Sequence, residues 1–207
     1  MGRNANLAHV AADLDLAEED RLRAQWYALL GALLARAPDQ ARLDTLAELA
    51  GDGSDLGQGV TALATAASAA TPETVEQEFF DLFIGVGRGE LVPYGSYYLA
   101  GFLHEKPLAN VRGDMRRLGI ARADDVKEPE DQIGALMEMM SGLITGAFAQ
   151  PADLATQRQF FEAHVGSWAP RFFEDLENTS AATFYGPVAR IGRIFMGIEA
   201  QAFEMVA

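Results

Sequence analysis

From Leu22 to Phe203 the apolar residues recur at helical intervals, and no stretch sustains the period-two alternation of a half-buried strand. A chain patterned this way buries its side chains by packing helix on helix. Leu22, Trp26, Leu29, Leu30, Leu33 and Leu34 define a first helix. Glu18, Glu19 and Asp20 stand where a helix N-terminus favours negative charge, and Ala37-Pro38 ends it. Leu43, Leu46 and Leu49 mark a shorter second helix, stopped by the Gly-Asp-Gly at 51–53. Residues 54–70 are rich in Gly, Ala, Ser and Thr and read as a loop and then a weakly packed helix; 52–70 could be mobile. Thr71-Pro72-Glu73 is a helix start, with Val75, Phe79, Leu82 and Phe83 on one apolar face up to Ile84. Leu108, Val111, Met115 and Leu118 mark a helix closed by Gly119. Pro129 is expected to open the next. Its stripe of Ile133, Leu136, Met137, Met140, Leu143, Ile144, Ala147 and Phe148 covers roughly five turns and suggests a central, mostly buried helix. Pro151 is expected to start another, with Leu154, Phe161, Val165 and Trp168 and a break at Pro170, after which Phe172, Phe173 and Leu176 continue. The last helix carries Phe184, Val188, Ile191, Phe195, Ile198 and Phe203. The expectation is an all-α, single-domain helical bundle over residues 1–207, with 1–17 as a flexible N-terminal tail.

Composition narrows the function. A formal net charge of -14 repels phosphate backbones and disfavours nucleic-acid binding. It suits solubility or partners with basic segments. The absence of cysteine removes thiolate nucleophiles, disulfides and thiolate metal sites. The first 20 residues lack a secretory pattern, and Asn6 argues against myristoylation. No apolar run approaches the ~20 residues of a membrane span. A cytoplasmic protein is the simplest outcome.

The stretch FFDLFIGVGRGELVPYGSYYL, residues 79–99, could be mistaken for a phosphate-binding loop. A dinucleotide fingerprint needs its glycines after a strand, whereas Gly85, Gly87 and Gly89 follow a helix. A P-loop ends in Gly-Lys-Ser/Thr, whereas this one has Gly89-Glu90-Leu91, and Glu90 would repel a phosphate. The glycines read as a helix exit needing positive φ. Beyond them Tyr94, Tyr97 and Tyr98 fall in a loop between helices. They either form a binding surface or wedge the loop onto the core. Residues 124–131 carry five acids against one lysine. Glu130 and Asp131 would complement the dipole of the helix they open, or the group would form a carboxylate patch for paired arginines beside an apolar groove.

Three ordered segments carry a resemblance: EFFDLFIGVGRGELVPYGSYYL, EPEDQIGALMEMMSGLI and FFEAHVGSWAPRFFEDLENTSAATFYGPVARIGRIFMGIEAQAF. Over roughly residues 20–205 the chain resembles the TorD/DmsD/NarJ family of cytoplasmic redox-enzyme maturation chaperones. The resemblance implies an all-helical, non-enzymatic protein. It would bind the twin-arginine leader and apo form of a molybdenum- or tungsten-cofactor oxidoreductase catalytic subunit, assist cofactor loading and proofread export. It implies a monomer or a domain-swapped homodimer and no cofactor of its own, with weak guanine-nucleotide binding left open. The family's Glu-aromatic-x-x-Leu-Phe motif matches Glu78, Phe79, Leu82 and Phe83, with phenylalanine where tyrosine is usual. Its Pro-Tyr-x-Ser loop matches Pro93, Tyr94 and Ser96, with Gly95 where an acid is common. Its Glu-Pro-x-Asp-His motif matches Glu128, Pro129 and Asp131, with Gln132 in place of the histidine. Glutamine keeps the hydrogen bonding and loses the protonatable group. With Tyr97, Tyr98 and His104, these residues form the expected client-binding site.

Other chemistry finds little support. Of three histidines, His9 lies in the expected tail, His104 follows the tyrosines, and His164 sits among Phe160, Phe161 and Trp168 as a packed core residue. No His-x-x-x-His or Glu-x-x-His pair offers a metal site, and no nucleophile turn accompanies a Ser-His-Asp set. Met137, Met139 and Met140 either soften a peptide groove or fill the core. The rival functions are a nucleotide-binding or hydrolysing module using the glycine loop, and a helical assembly scaffold without leader recognition.

Overall fold

The computed structural model describes residues 16–86, 89–123 and 126–205, so His9, Gly87, Asp124 and nearly all of the expected tail lie outside the described residues. The helices in order are α1 (Glu18–Ala35), α2 (Gln40–Ala47), α3 (Asp55–Ala69), α4 (Pro72–Phe79), α5 (Gly95–Ala100), α6 (Lys106–Leu118), α7 (Ile133–Thr145), α8 (Leu154–His164), α9 (Ala169–Glu177) and α10 (Tyr185–Met205). A π-helical turn, Phe80–Ile84, prolongs α4. Among the described residues there is no strand, only an isolated bridge between Tyr94 and Gln132. The all-α bundle read from the periodicity is what the chain forms.

The pair α1 and α7 forms the spine. Leu30, Leu33 and Leu34 of α1 meet Ile133, Leu136, Met137 and Met140 of α7 in one core that also takes Tyr185 and Phe195 of α10. Each fully buried side chain of this size contributes about 1.5–3 kcal/mol. The helices cross closely because both are glycine at the crossing. A Cβ at Gly31 would stand 2.9 Å from Glu138 Cγ, and one at Gly134 would stand 2.7 Å from the Ala35 nitrogen. Arg23, on the next turns of α1, pairs with the fully buried Glu199 of α10 through Nε at 2.8 Å and Nη2 at 2.9 Å. The Tyr27 hydroxyl donates to the same carboxylate at 3.0 Å. Burial, then the neighbouring Glu199 charge, pushes the Tyr27 phenol well above its usual range.

Several boundaries differ from the sequence reading. Leu22 is exposed, and Ala24 and Tyr27 take the inner face of α1 instead. The Gly/Ala-rich stretch is helical from Asp55 under a Ser54 cap and buries Val60, Leu63, Ala64 and Ala67. Helix α7 begins at Ile133 rather than Pro129 and ends at Gly146, in the left-handed region, before Phe148. Helix α8 begins after Asp153, which caps Thr156 N–H, rather than at Pro151. Residues 95–100, expected as loop, form helix α5. Helix α4 starts as expected, with the Thr71 hydroxyl accepting from Thr74 N–H and Pro72 in the first turn.

Candidate functional site

The second and third motifs are tied together by backbone. The Gly95 N–H donates to the Asp131 carbonyl at 2.9 Å, and the Ile133 N–H donates to the Pro93 carbonyl at 2.9 Å. Side chains complete the knot. Asp131 Oδ2 accepts from the Ser96 N–H at 2.7 Å, so the acid expected in the first turn of α7 instead caps α5. Asp131 and Ser96 are both buried, and Asp131 Oδ1 and Ser96 Oγ find no hydrogen-bond partner among the described residues. The Tyr94 hydroxyl donates to Glu128. Burial and then that hydrogen bond push the Tyr94 phenol above its usual range. The Gln132 Oε1 accepts from Ala135 N–H at 3.0 Å as the cap of α7, and its Nε2 donates to the Leu34 carbonyl at 2.7 Å. The residue standing where the family has histidine thus fastens the start of α7 to the end of α1. Gly95 also has a local reason. A Cβ there would lie 3.0 Å from Trp168 Nε1, which is held by its own bond to the His164 carbonyl.

The first motif sits deeper. Both oxygens of Glu78 accept from the Phe184 N–H, at 2.9 and 3.0 Å, and Oε1 accepts from the Tyr185 N–H at 2.8 Å. This carboxylate therefore caps α10 from another helix, where the N-terminal dipole favours it. Leu82 is fully buried. Phe79 stacks edge-on against Phe83, which reaches Phe172, which in turn meets Tyr98. A continuous aromatic seam therefore joins the first motif to the tyrosines. Tyr98 also donates to Asp175 at 3.0 Å, and Tyr97 contacts the Tyr98 ring. His104 stands apart on the exposed α5–α6 connection, at φ 63, beside exposed Leu99, Phe102 and Leu103.

The glycine loop is the expected helix exit. Gly85 ends the π turn at φ 62, and the N–H groups of Glu90 and Leu91 turn back to the carbonyls of Asp81 and Leu82. Those donors are engaged within the chain. His164 is packed on Phe160 and bonded to Asp114 at 2.8 Å. Burial raises the Asp114 carboxyl, but the hydrogen bonds from His164 and Arg117 outweigh it and hold the group below its ordinary range. Among the described residues no cluster of three or more His, Asp or Glu could hold a metal ion. Among them, too, no helix is long and apolar enough to cross a membrane.

Two clefts open beside the knot. The smaller, about 330 Å³, is polar and is lined by Glu90, Tyr97, Tyr98, Arg171 and Asp175. The larger, about 490 Å³, lies along α7 and is walled in part by the connection that follows α6. Its floor is apolar: Met115, Ile120, Val126, Ala135, Met139 and Phe148. Its charged lining is Arg122, Glu128, Glu130 and Glu138. Of the three methionines, Met137 and Met140 are core filler, while Met139 faces this cleft. Of the acids expected as an open patch, the described Glu128, Glu130 and Asp131 are engaged within the chain. Glu130 accepts from Arg112 Nε at 2.8 Å and lies 3.6 Å from Arg122 Nη1. Sequence reading missed Arg112, Arg122 and Glu138. The cleft gathers its walls from α1, α6, α7 and the connections after α6 and α7, and no local pattern reports that.

The fold and knot define an all-helical protein whose two site motifs are tied together by backbone hydrogen bonds. The structure superposes on the crystal structure of a protein described as a redox enzyme maturation protein from Archaeoglobus fulgidus, with a TM-score of 0.57 at 21% identity, over 85% of this chain and 94% of that one. That likeness concerns the fold. The chain belongs to the nitrate reductase delta subunit family, whose model matches residues 19–174, which is the TorD/NarJ grouping its motifs resemble. It is 26% identical to the chaperone protein TorD of Vibrio atlanticus over 60% of this chain and 61% of the relative. It is 27% identical to TorD of Aliivibrio fischeri over 59% of this chain and 60% of the relative. The matched part therefore spans about three fifths of the length of these relatives.

Proposed function

We propose that the protein is a non-catalytic chaperone of redox-enzyme maturation. It binds the twin-arginine leader and the apo form of a molybdenum- or tungsten-cofactor oxidoreductase in the cytoplasm, and holds the enzyme back from export while its cofactor is loaded. The observation that carries this reading is the 490 Å³ cleft along α7, with an apolar floor and carboxylates at its edge. A leader offers the complement: arginines followed by an apolar segment. Apolar side chains would bury against Met139 and Val126, and guanidinium groups would meet the carboxylates by charge-assisted hydrogen bonds. The net charge of -14 favours approach of a basic segment over long range. In this reading Glu78, Phe79, Leu82, Phe83, Pro93, Tyr94, Ser96, Asp131 and Gln132 build and hold the walls rather than touch the leader, and Glu128 joins the wall to the cleft. The test is capture from the native host by the tagged protein under anaerobic induction, with full-length client and with its leader deleted. The account expects an oxidoreductase catalytic subunit with its leader uncleaved, and loss of capture on deletion. Equal capture without the leader would favour the scaffold alternative.

A further inference from the structure

The large cleft already contains a guanidinium of this chain. Glu130 is about nine-tenths buried in its wall and is approached by two arginines on unequal terms. Arg112, fixed on α6, donates through Nε at 2.8 Å. Arg122, on the connection after α6, lies at 3.6 Å, beyond a normal hydrogen bond, with its side chain 43% exposed. Arg122 therefore holds its place through a weak, partly screened contact. Eight positions along from Glu130, Glu138 lines the same cleft. Its carboxylate has neither a hydrogen-bond nor an ion-pair partner among the described residues. Glu128, the remaining acid of the lining, is bonded to Tyr94.

Resting on the leader-binding reading above, we infer that Arg122 is an internal place-holder for a client arginine. One arginine of the leader displaces Arg122 from Glu130, its partner pairs with Glu138, and Arg112 stays as the fixed neighbour. The exchange trades one ion pair for another at Glu130, so the gain comes from the second pair and from apolar residues entering over Met139 and Val126. A lysine in the client position forms a weaker counterpart, because an ammonium lacks the planar fork that fits a carboxylate side-on.

The test is a fluorescence-anisotropy titration with a synthetic peptide carrying Arg-Arg followed by a leucine-rich segment, and with its Lys-Lys counterpart. The full chain is used as wild type, Arg122→Ala and Glu138→Gln. Both substitutions fall on side chains outside the core, and equal melting temperatures check the fold. Removal of the place-holder should tighten Arg-Arg binding roughly two- to fivefold, and Glu138→Gln should weaken it by a similar factor and narrow the preference over Lys-Lys. If wild type prefers Arg-Arg but Arg122→Ala leaves affinity unchanged or weaker, or if Glu138→Gln binds as wild type does, the place-holder inference is overturned while leader binding stands. If neither wild type nor Arg122→Ala binds either peptide, leader recognition itself fails and the inference with it.

Discussion

Asp131 Oδ2 accepts a hydrogen bond from the backbone N–H of Ser96 at 2.7 Å, and both residues are buried. With the Gly95–Asp131 and Ile133–Pro93 backbone bonds, this contact sets the start of α5 against the start of α7. We propose that Asp131, at 1% exposure, acts as a positioning residue. Asp131→Ala strands the Ser96 N–H and should cost about 1–3 kcal/mol in a chemical denaturation curve. Asp131→Asn keeps an acceptor for that N–H, so it should lose less. A drop in leader affinity with stability unchanged would show that Asp131 reads arginine directly.

Glu78 holds the N-terminus of α10 from 106 residues away. Glu78→Ala leaves two backbone N–H groups without their acceptor at the start of the last helix. The expected cost is about 1–2 kcal/mol, in the range of a strong cap. Glu78→Gln keeps an oxygen but removes the charge, so thermal melts should rank wild type, then Gln, then Ala. Equal melting temperatures for all three would remove the cap from the account.

Gln132 accepts from Ala135 and donates to Leu34, a pattern that a neutral imidazole can reproduce with one nitrogen each way. Gln132→His should therefore fold, and should gain a pH dependence that wild type lacks at this position. The acceptor nitrogen is lost on protonation, so the folded state holds the ring neutral and its folded pKa falls below the unfolded value of ~6.5. The contribution is present above that value and is lost as pH falls through the folded pKa. Melting temperatures of the variant and wild type should match near pH 8 and separate toward about pH 5. Parallel curves across that range would contradict the two-bond role of residue 132.

Much of the fold was legible because helical periodicity is local. The stripe from Ile133 to Ile144 predicted a buried helix, and the side chains of Met137 and Met140 are fully covered. Thr71-Pro72 announced α4 through the chemistry of a cap. What escaped is non-local. That Glu78 caps α10 and Asp131 caps α5 depends on how the bundle closes, and an acid near a helix start looks the same whichever helix it serves. The Gly31–Gly134 crossing is invisible for the same reason. The site motifs were found as strings, but most of their side chains brace one another. The accessible lining instead includes Arg122, Glu138 and Met139, which no motif marked.

The central claim is that the leader lies in the cleft along α7. Hydrogen exchange of the full chain, with and without the Arg-Arg peptide, tests it most directly. The account predicts slower exchange at residues 120–123 and 126–128, in the connection that lines the cleft, and little change at 97–103. Protection confined to 97–103, around Tyr97 and the exposed Phe102, would contradict it and move the leader to the smaller cleft.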